Sequence, residues 1–131
     1  MKPVPPGLAH RHEIVPDASH TAAAVGNAGV VVVGTPFLIG YFEIAAHRAI
    51  LPFCEPGEVT VGTRIEVDHL KAAPVGAAVY ASARLISQEG RFLTFEVEAG
   101  MGDTLIGRGR VYRAIVEPKS FSSKASARSS S

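Results

Sequence analysis

The chain has one cysteine, no tryptophan and almost no net charge, and each shortage closes off a class of function. A single Cys54 in 131 residues excludes an internal disulfide framework and suits a reducing compartment. Thirteen Lys and Arg stand against twelve Asp and Glu, a formal charge of +1. Residues 1–116 carry ten basic and eleven acidic side chains, so the body is at −1 and the surplus belongs to Lys119, Lys124 and Arg128. A near-neutral body lacks the electrostatic footprint of a nucleic-acid binder. Long apolar runs are missing too. The best candidate, Pro36–Phe53, is broken by Glu43, His47 and Arg48 and falls short of the roughly 18 apolar residues of a membrane span. The opening MKPVPPGLAH has prolines in place of the apolar stretch of a signal peptide. The expectation is a soluble cytoplasmic chain. There is also no G-x-S-x-G elbow and no phosphate loop, and Gly107-Arg108-Gly109 does not meet the dinucleotide fingerprint.

What is present suffices for one domain with a real core, since 47% of residues are hydrophobic. The expected domain is 1–116; 117–131, ending SFSSKASARSSS, reads as a disordered, serine-rich basic tail. His10–Val15 reads as a first strand closed by Pro16, and Asp17–Gly29 as a loop or lid. Val30–Val33 has strand composition but little length. The clearest element follows. Thr35 reads as an N-cap, Pro36 as the first helical position, and Phe37–Leu51 as a helix stopped by Pro52. It is apolar on nearly every face and so should be buried. Strands are expected at Val59–Val67, Ala78–Ser87, Arg91–Ala99 and Thr104–Val116, the middle pair as a hairpin. A helix apolar all round needs cover on most sides, and a curved antiparallel sheet wrapped around it gives that cover. The expected class is α+β with the hot-dog arrangement; a flat two-layer sandwich would leave part of the helix bare.

Glu43 is the most informative residue, a carboxylate between Phe42 and Ile44 in mid-helix with only His47, at i+4, to neutralise it on its own element. Such a group is costly to bury unpaired and is a candidate acid, base or nucleophile; otherwise it marks a solvated strip. Thr35 lies eight residues earlier, about 80° round the helix and two turns away, so both can border one pocket. His69 ends a strand and suits proton transfer near neutral pH; it could equally orient a loop. Gly62, inside a strand, reads as a close backbone approach or a bulge. The Glu43/His47 spacing could hold a metal, but no third ligand has a motif behind it; no metal or cofactor is expected. Cys54 has no cationic setting and reads as structural. Arg108 and Arg110 share one face of the last strand while Arg113 points to the other. These arginines could meet phosphates, or be solvated beside Glu96 and Glu98.

With Thr35, Glu43, Gly62 and His69 in place, the chain resembles the fluoroacetyl-CoA thioesterase family of hot-dog proteins. The likeness runs from Gly34 to Val116, through GTPFLIGYFEIAAHRAILPFCEPGE, VGTRIEVDHLKAAPVG, EGRFLTFEVEA and TLIGRGRVYRAIV. It implies an acyl-CoA thioester hydrolase working as a homodimer or dimer of dimers, with sites near the subunit interface and no cofactor. Thr35, Glu43 and His69 would form the catalytic group: His69 as general base or acid, Glu43 as nucleophile or water-orienting base, and Thr35 as a hydrogen-bond donor. The Gly62 N–H would polarise the substrate carbonyl, and Phe37, Arg108, Arg110 and Arg113 would contact substrate. Two departures stand out. Pro36 replaces the glycine that follows the threonine, and Ala22–Val33 lacks the aromatic gate linked to fluoroacetyl selectivity. The expected substrate is therefore a short or medium acyl-CoA, with fluoroacetyl-CoA itself disfavoured; a non-catalytic acyl-CoA-binding module is the alternative.

Overall fold

A computed structural model describes residues 1–118; the basic tail expected at 117–131 lies outside them from residue 119 on. Five strands, β1 (Ala9–Ile14), β2 (Val59–His69), β3 (Val79–Glu89), β4 (Phe92–Met101) and β5 (Thr104–Val116), form one antiparallel sheet in the order β1-β3-β4-β5-β2. Helix α1 (Thr35–Ile50) packs on its inner face. This is the α+β hot-dog arrangement.

The strands obey period-two burial because one face meets the helix and the other meets water. Leu93, Phe95, Val97 and Ala99 of β4 point inward, with Val79, Ala81 and Ala83 of β3 and Val111 and Ile115 of β5. Against them α1 sets Leu38, Tyr41, Phe42, Ala45, Ala46, Ala49 and Ile50. Alanines on both surfaces let helix and sheet approach closely.

Three local expectations are corrected. The N-cap is Gly34, whose extended backbone carries no side-chain cap; Thr35 is already helical and Pro36 comes second, which frees the threonine hydroxyl for another partner. Val30–Val33 forms no strand, only isolated bridges of Val32 to Pro74 and Val33 to Thr21. Its short apolar run lacks a neighbouring strand long enough to pair with. Finally, α1 is not covered all round. Ile44 is 43% exposed and Pro36 and Arg48 are open, with Glu43 and His47 half-buried between them. An open stripe therefore runs along the helix, with Glu43 and His47 on its β2 border. Among the described residues no helix is long and apolar enough to cross a membrane.

Candidate active site

β2 is an edge strand lying beside α1 and running against it. The register partner of Gly62 is Arg113 on β5, and a register shift lies between Gly62 and Arg64. That bulge decides the site. Ahead of it the buried Thr60 and Gly62 face the helix; beyond it the inward set is Ile65, Val67 and His69, with Arg64, Glu66 and Asp68 turned out to solvent. One extra residue in a strand reverses the side-chain parity. Without it His69 would point away from α1.

Two groups of side chains result. In the first, Thr35 Oγ1 and His69 Nδ1 are 2.9 Å apart, joining the first residue of α1 to the last of β2. His69 Nε2 is buried and has no hydrogen-bond partner. The Thr35 hydroxyl sits at the positive end of the helix; Pro36 has no N–H and the Phe37 and Leu38 N–H groups donate to the Gly34 carbonyl, so the Thr35 N–H is the free backbone donor of the first turn.

The second group is built around Glu43. Arg113 Nη1 donates to Glu43 Oε2 at 2.7 Å. The same guanidinium donates through Nε to Thr60 Oγ1 at 2.9 Å and through Nη2 to the Thr60 carbonyl at 2.8 Å. His47 Nδ1 lies 3.0 Å from that Thr60 hydroxyl. Arg113 is 7% exposed and Thr60 4%, so the cluster is closed from below while Glu43 keeps an open side on the helix stripe. Glu43 Oε1 is buried and unpartnered. Gly62 is required here, because a Cβ on it would land on the Glu43 carboxylate. Gly62 adjoins the bulge, and the group that approaches its backbone closely is the Glu43 side chain. His47 is pushed below its ordinary value by burial and then by Arg113, with Glu43 pulling the other way.

The expected site residues thus divide. Thr35 meets His69 and Glu43 meets Gly62, but eight helical residues, about 12 Å of rise, separate Thr35 from Glu43. Arg113 departs from the phosphate-contact expectation. All three donor positions face protein acceptors, and its burial comes from the inward face of β5. The neutraliser of Glu43 is Arg113 and not His47, whose hydrogen bonds lead to it only through Thr60 and then Arg113. Phe37 lies roughly 160° round the helix from Thr35, stacked under His20 with ring centroids 5.2 Å apart, while His20 Nδ1 bonds the Tyr41 hydroxyl at 2.8 Å. Arg108 and Arg110 do share the solvent face. Each is flanked in register by acids, Arg108 by Glu98 and Asp68, Arg110 by Glu96 and Glu66. Cys54 is half-buried, and burial pushes its thiol up, away from nucleophilic use. Among the described residues no group of three or more His, Cys, Asp or Glu could hold a metal ion.

Thr60 and the role of Arg113 escaped the sequence reading. A threonine in a strand has no local signature, and Arg113 lies seventy residues from its carboxylate.

Comparison with known proteins places this geometry. The family model for fluoroacetyl-CoA-specific thioesterase matches residues 17–119. A fluoroacetyl-CoA thioesterase from Streptantibioticus cattleyicolor is 42% identical over 93 residues, 71% of this chain and 67% of its own. A crystal structure of a mutant fluoroacetyl-CoA-specific thioesterase in complex with fluoroacetate and CoA superposes with a TM-score of 0.84 at 34% identity, covering 90% of this chain and 99% of that one. A thioesterase superfamily member from Thermus thermophilus gives 0.90 at 29% identity, over 99% and 96%. The chain belongs to the fluoroacetyl-CoA-specific thioesterase family, a family of hot-dog acyl-CoA thioester hydrolases.

Proposed function

We propose that this protein hydrolyses a short or medium acyl-CoA, and that the Thr35–His69 pair is its reactive centre. The observation that carries the reading is the 2.9 Å contact between Thr35 Oγ1 and His69 Nδ1 at the N-terminus of α1. A hydroxyl within hydrogen-bond reach of an imidazole is the signature of an activated nucleophile. His69 takes the hydroxyl proton as Thr35 Oγ1 attacks the thioester carbon. The tetrahedral oxyanion forms at the positive end of the helix beside the free Thr35 N–H, a favourable place for developing charge. Collapse breaks the C–S bond, and His69 returns the proton to the CoA thiolate. Water then repeats the sequence on the acyl-threonine, yielding free acid and the original hydroxyl.

Glu43 is placed to serve that second step from another copy of the chain. Reacting groups must come within about 3–3.5 Å, and the 12 Å of helix between Thr35 and Glu43 is too far within one chain. β2 is an edge strand, a ready template for pairing. Antiparallel pairing of β2 with its copy about a two-fold axis near Ile65 and Glu66 sets Gly62 opposite the partner's His69. Each site then takes Thr35 and His69 from one subunit and Glu43, Gly62 and Arg113 from the other, and the open helix stripe is covered. Such an isologous homodimer is the commonest closed assembly. The small side chains of Ala22–Val33, with no aromatic ring among them, favour acyl groups larger than fluoroacetyl.

The test is thiol release from a panel of acyl-CoAs, fluoroacetyl-CoA included, by wild type, Thr35→Ala, His69→Ala and Glu43→Ala, with mass spectrometry of rapidly quenched enzyme. The reading expects an acyl adduct on Thr35 and losses of about 100-fold or more for Thr35→Ala and His69→Ala. Equal rates in all four proteins overturn the site, and binding without release in the wild type makes the protein a CoA-ester-binding module.

A further inference from the structure

The Glu43 cluster contains two side chains that touch neither the carboxylate nor the Thr35–His69 pair, yet determine how the carboxylate is held. Thr60 Oγ1 stands between Arg113 Nε at 2.9 Å and His47 Nδ1 at 3.0 Å. A guanidinium can only donate, so the Thr60 oxygen accepts from Arg113. The threonine is 4% exposed, and its own proton needs an acceptor inside the protein. His47 Nδ1 is that acceptor. Were Nδ1 protonated, one hydroxyl oxygen would face two donors and its own hydrogen would be stranded. Hence His47 is the neutral imidazole with its proton on Nε2, a state that its burial and the neighbouring Arg113 also favour.

The chain of bonds has one direction. The Thr60 hydroxyl donates its hydrogen bond to Nδ1, which turns a Thr60 lone pair toward Arg113 Nε. The Thr60 carbonyl accepts from Nη2 at 2.8 Å, so one edge of the guanidinium, Nε with Nη2, is fixed by one residue. The remaining Nη1 is thereby aimed at Glu43 Oε2, and Oε1 is left buried and unpartnered. Held along that edge, the fork presents Nη1 alone to the carboxylate, on Oε2 and not on Oε1.

We propose that His47 and Thr60 are positioning residues for Glu43: through Arg113 they hold one carboxylate oxygen and keep the other free to act on substrate or water. This rests on the thioesterase reading only for its kinetic consequence; the tautomer and the bonding order are independent of it.

The experiment pairs a kinetic with a spectroscopic readout. His47→Leu removes the acceptor, whereas His47→Asn restores an acceptor oxygen close to the place of Nδ1. Thr60→Val and Thr60→Ser form the matching pair. His47→Leu and Thr60→Val should each lower kcat about ten-fold with KM changed less than about two-fold, as expected for a misplaced catalytic group. His47→Asn and Thr60→Ser should recover most of the loss. The double variant His47→Leu/Thr60→Val should lose no more than the worse single one, since both act on one bond chain. Independently, nitrogen-15 spectra of the wild type should show His47 with a bare Nδ1 and a protonated Nε2, and a slowly exchanging Arg113 Nε–H that speeds up in His47→Leu. A proton on Nδ1 of neutral His47 overturns the proposal, as does unchanged Arg113 exchange. So do additive losses, or Asn no better than Leu at His47 in an active enzyme. If no acyl-CoA is turned over while the tautomer and exchange results hold, the thioesterase reading has failed and the positioning network stands.

Discussion

Arg113→Met tests whether the buried ion pair holds the site together. Methionine keeps the unbranched stem that packs inward from β5 and deletes only the charged fork. Three hydrogen bonds go with it: the ionic one to Glu43 Oε2 and those to the Thr60 carbonyl and hydroxyl. All three have a charged donor, and such a bond is worth about 1.5–3 kcal/mol, while breaking a fully buried pair costs about 3–5 kcal/mol. Arg113 is enclosed, but the Glu43 side chain retains 27% of its exposure, so water compensates part of the loss and the lower end applies. We expect a loss of about 3 kcal/mol, or roughly 10 °C in melting temperature for a domain of this size. The assay is urea and thermal unfolding at one fixed protein concentration, since any self-association makes stability concentration-dependent. Glu43→Gln supplies the control. Once the carboxylate is neutral, losing Arg113 no longer strands a charge. The double variant should therefore be more stable than the sum of the two single losses by at least about 1 kcal/mol. A loss in Arg113→Met below about 0.5 kcal/mol, or additivity within that margin, would refute the reasoning.

Two further predictions follow from the same packing. Gly62→Ala drives a Cβ into a carboxylate that Arg113 prevents from swinging aside; the expected cost is about 2 kcal/mol by denaturant unfolding. In a Glu43→Ala background it should fall below about 0.5 kcal/mol, and a persistent cost would locate the strain elsewhere. His12 lies on the inner face of β1 beside His10, with both of its ring nitrogens buried and unpartnered; burial, then Arg48, then His10 hold it below its ordinary 6.5. The unfolded chain therefore takes up this proton first on acidification. The stability contributed by neutral His12 is intact above pH 6.5 and drains as pH falls from there toward the folded value. Unfolding free energies measured between pH 7.5 and 5 should fall less steeply for His12→Phe; an unchanged slope removes His12 as the cause.

Much of this molecule was legible because its signals are local. Pro36, the run to Ile50 broken only by Gly40, and Pro52 mark the helix, and alternation marks β3, β4 and β5. Only long-range register makes the rest. In VTVGTRIEVDH a bulge at Gly62 is one of two readings and is not compelled; uniform alternation would put Arg64, Glu66 and Asp68 with Thr60 and turn His69 outward. The bulge lets Thr60 and Gly62 share a face with Ile65, Val67 and His69 that a regular strand would divide. Arg113 follows from the same fact, since the bulged register places it across from Gly62 and so beneath Glu43. Read along β5 alone it is one arginine of three, and neighbouring Arg108 and Arg110 gave it a phosphate role by association. Parity had already separated it from them. Of the three, only an arginine on the inward face could cost stability if left unpaired, so its partner had to be an acid from the helix side, and Glu43 is the helix's one carboxylate.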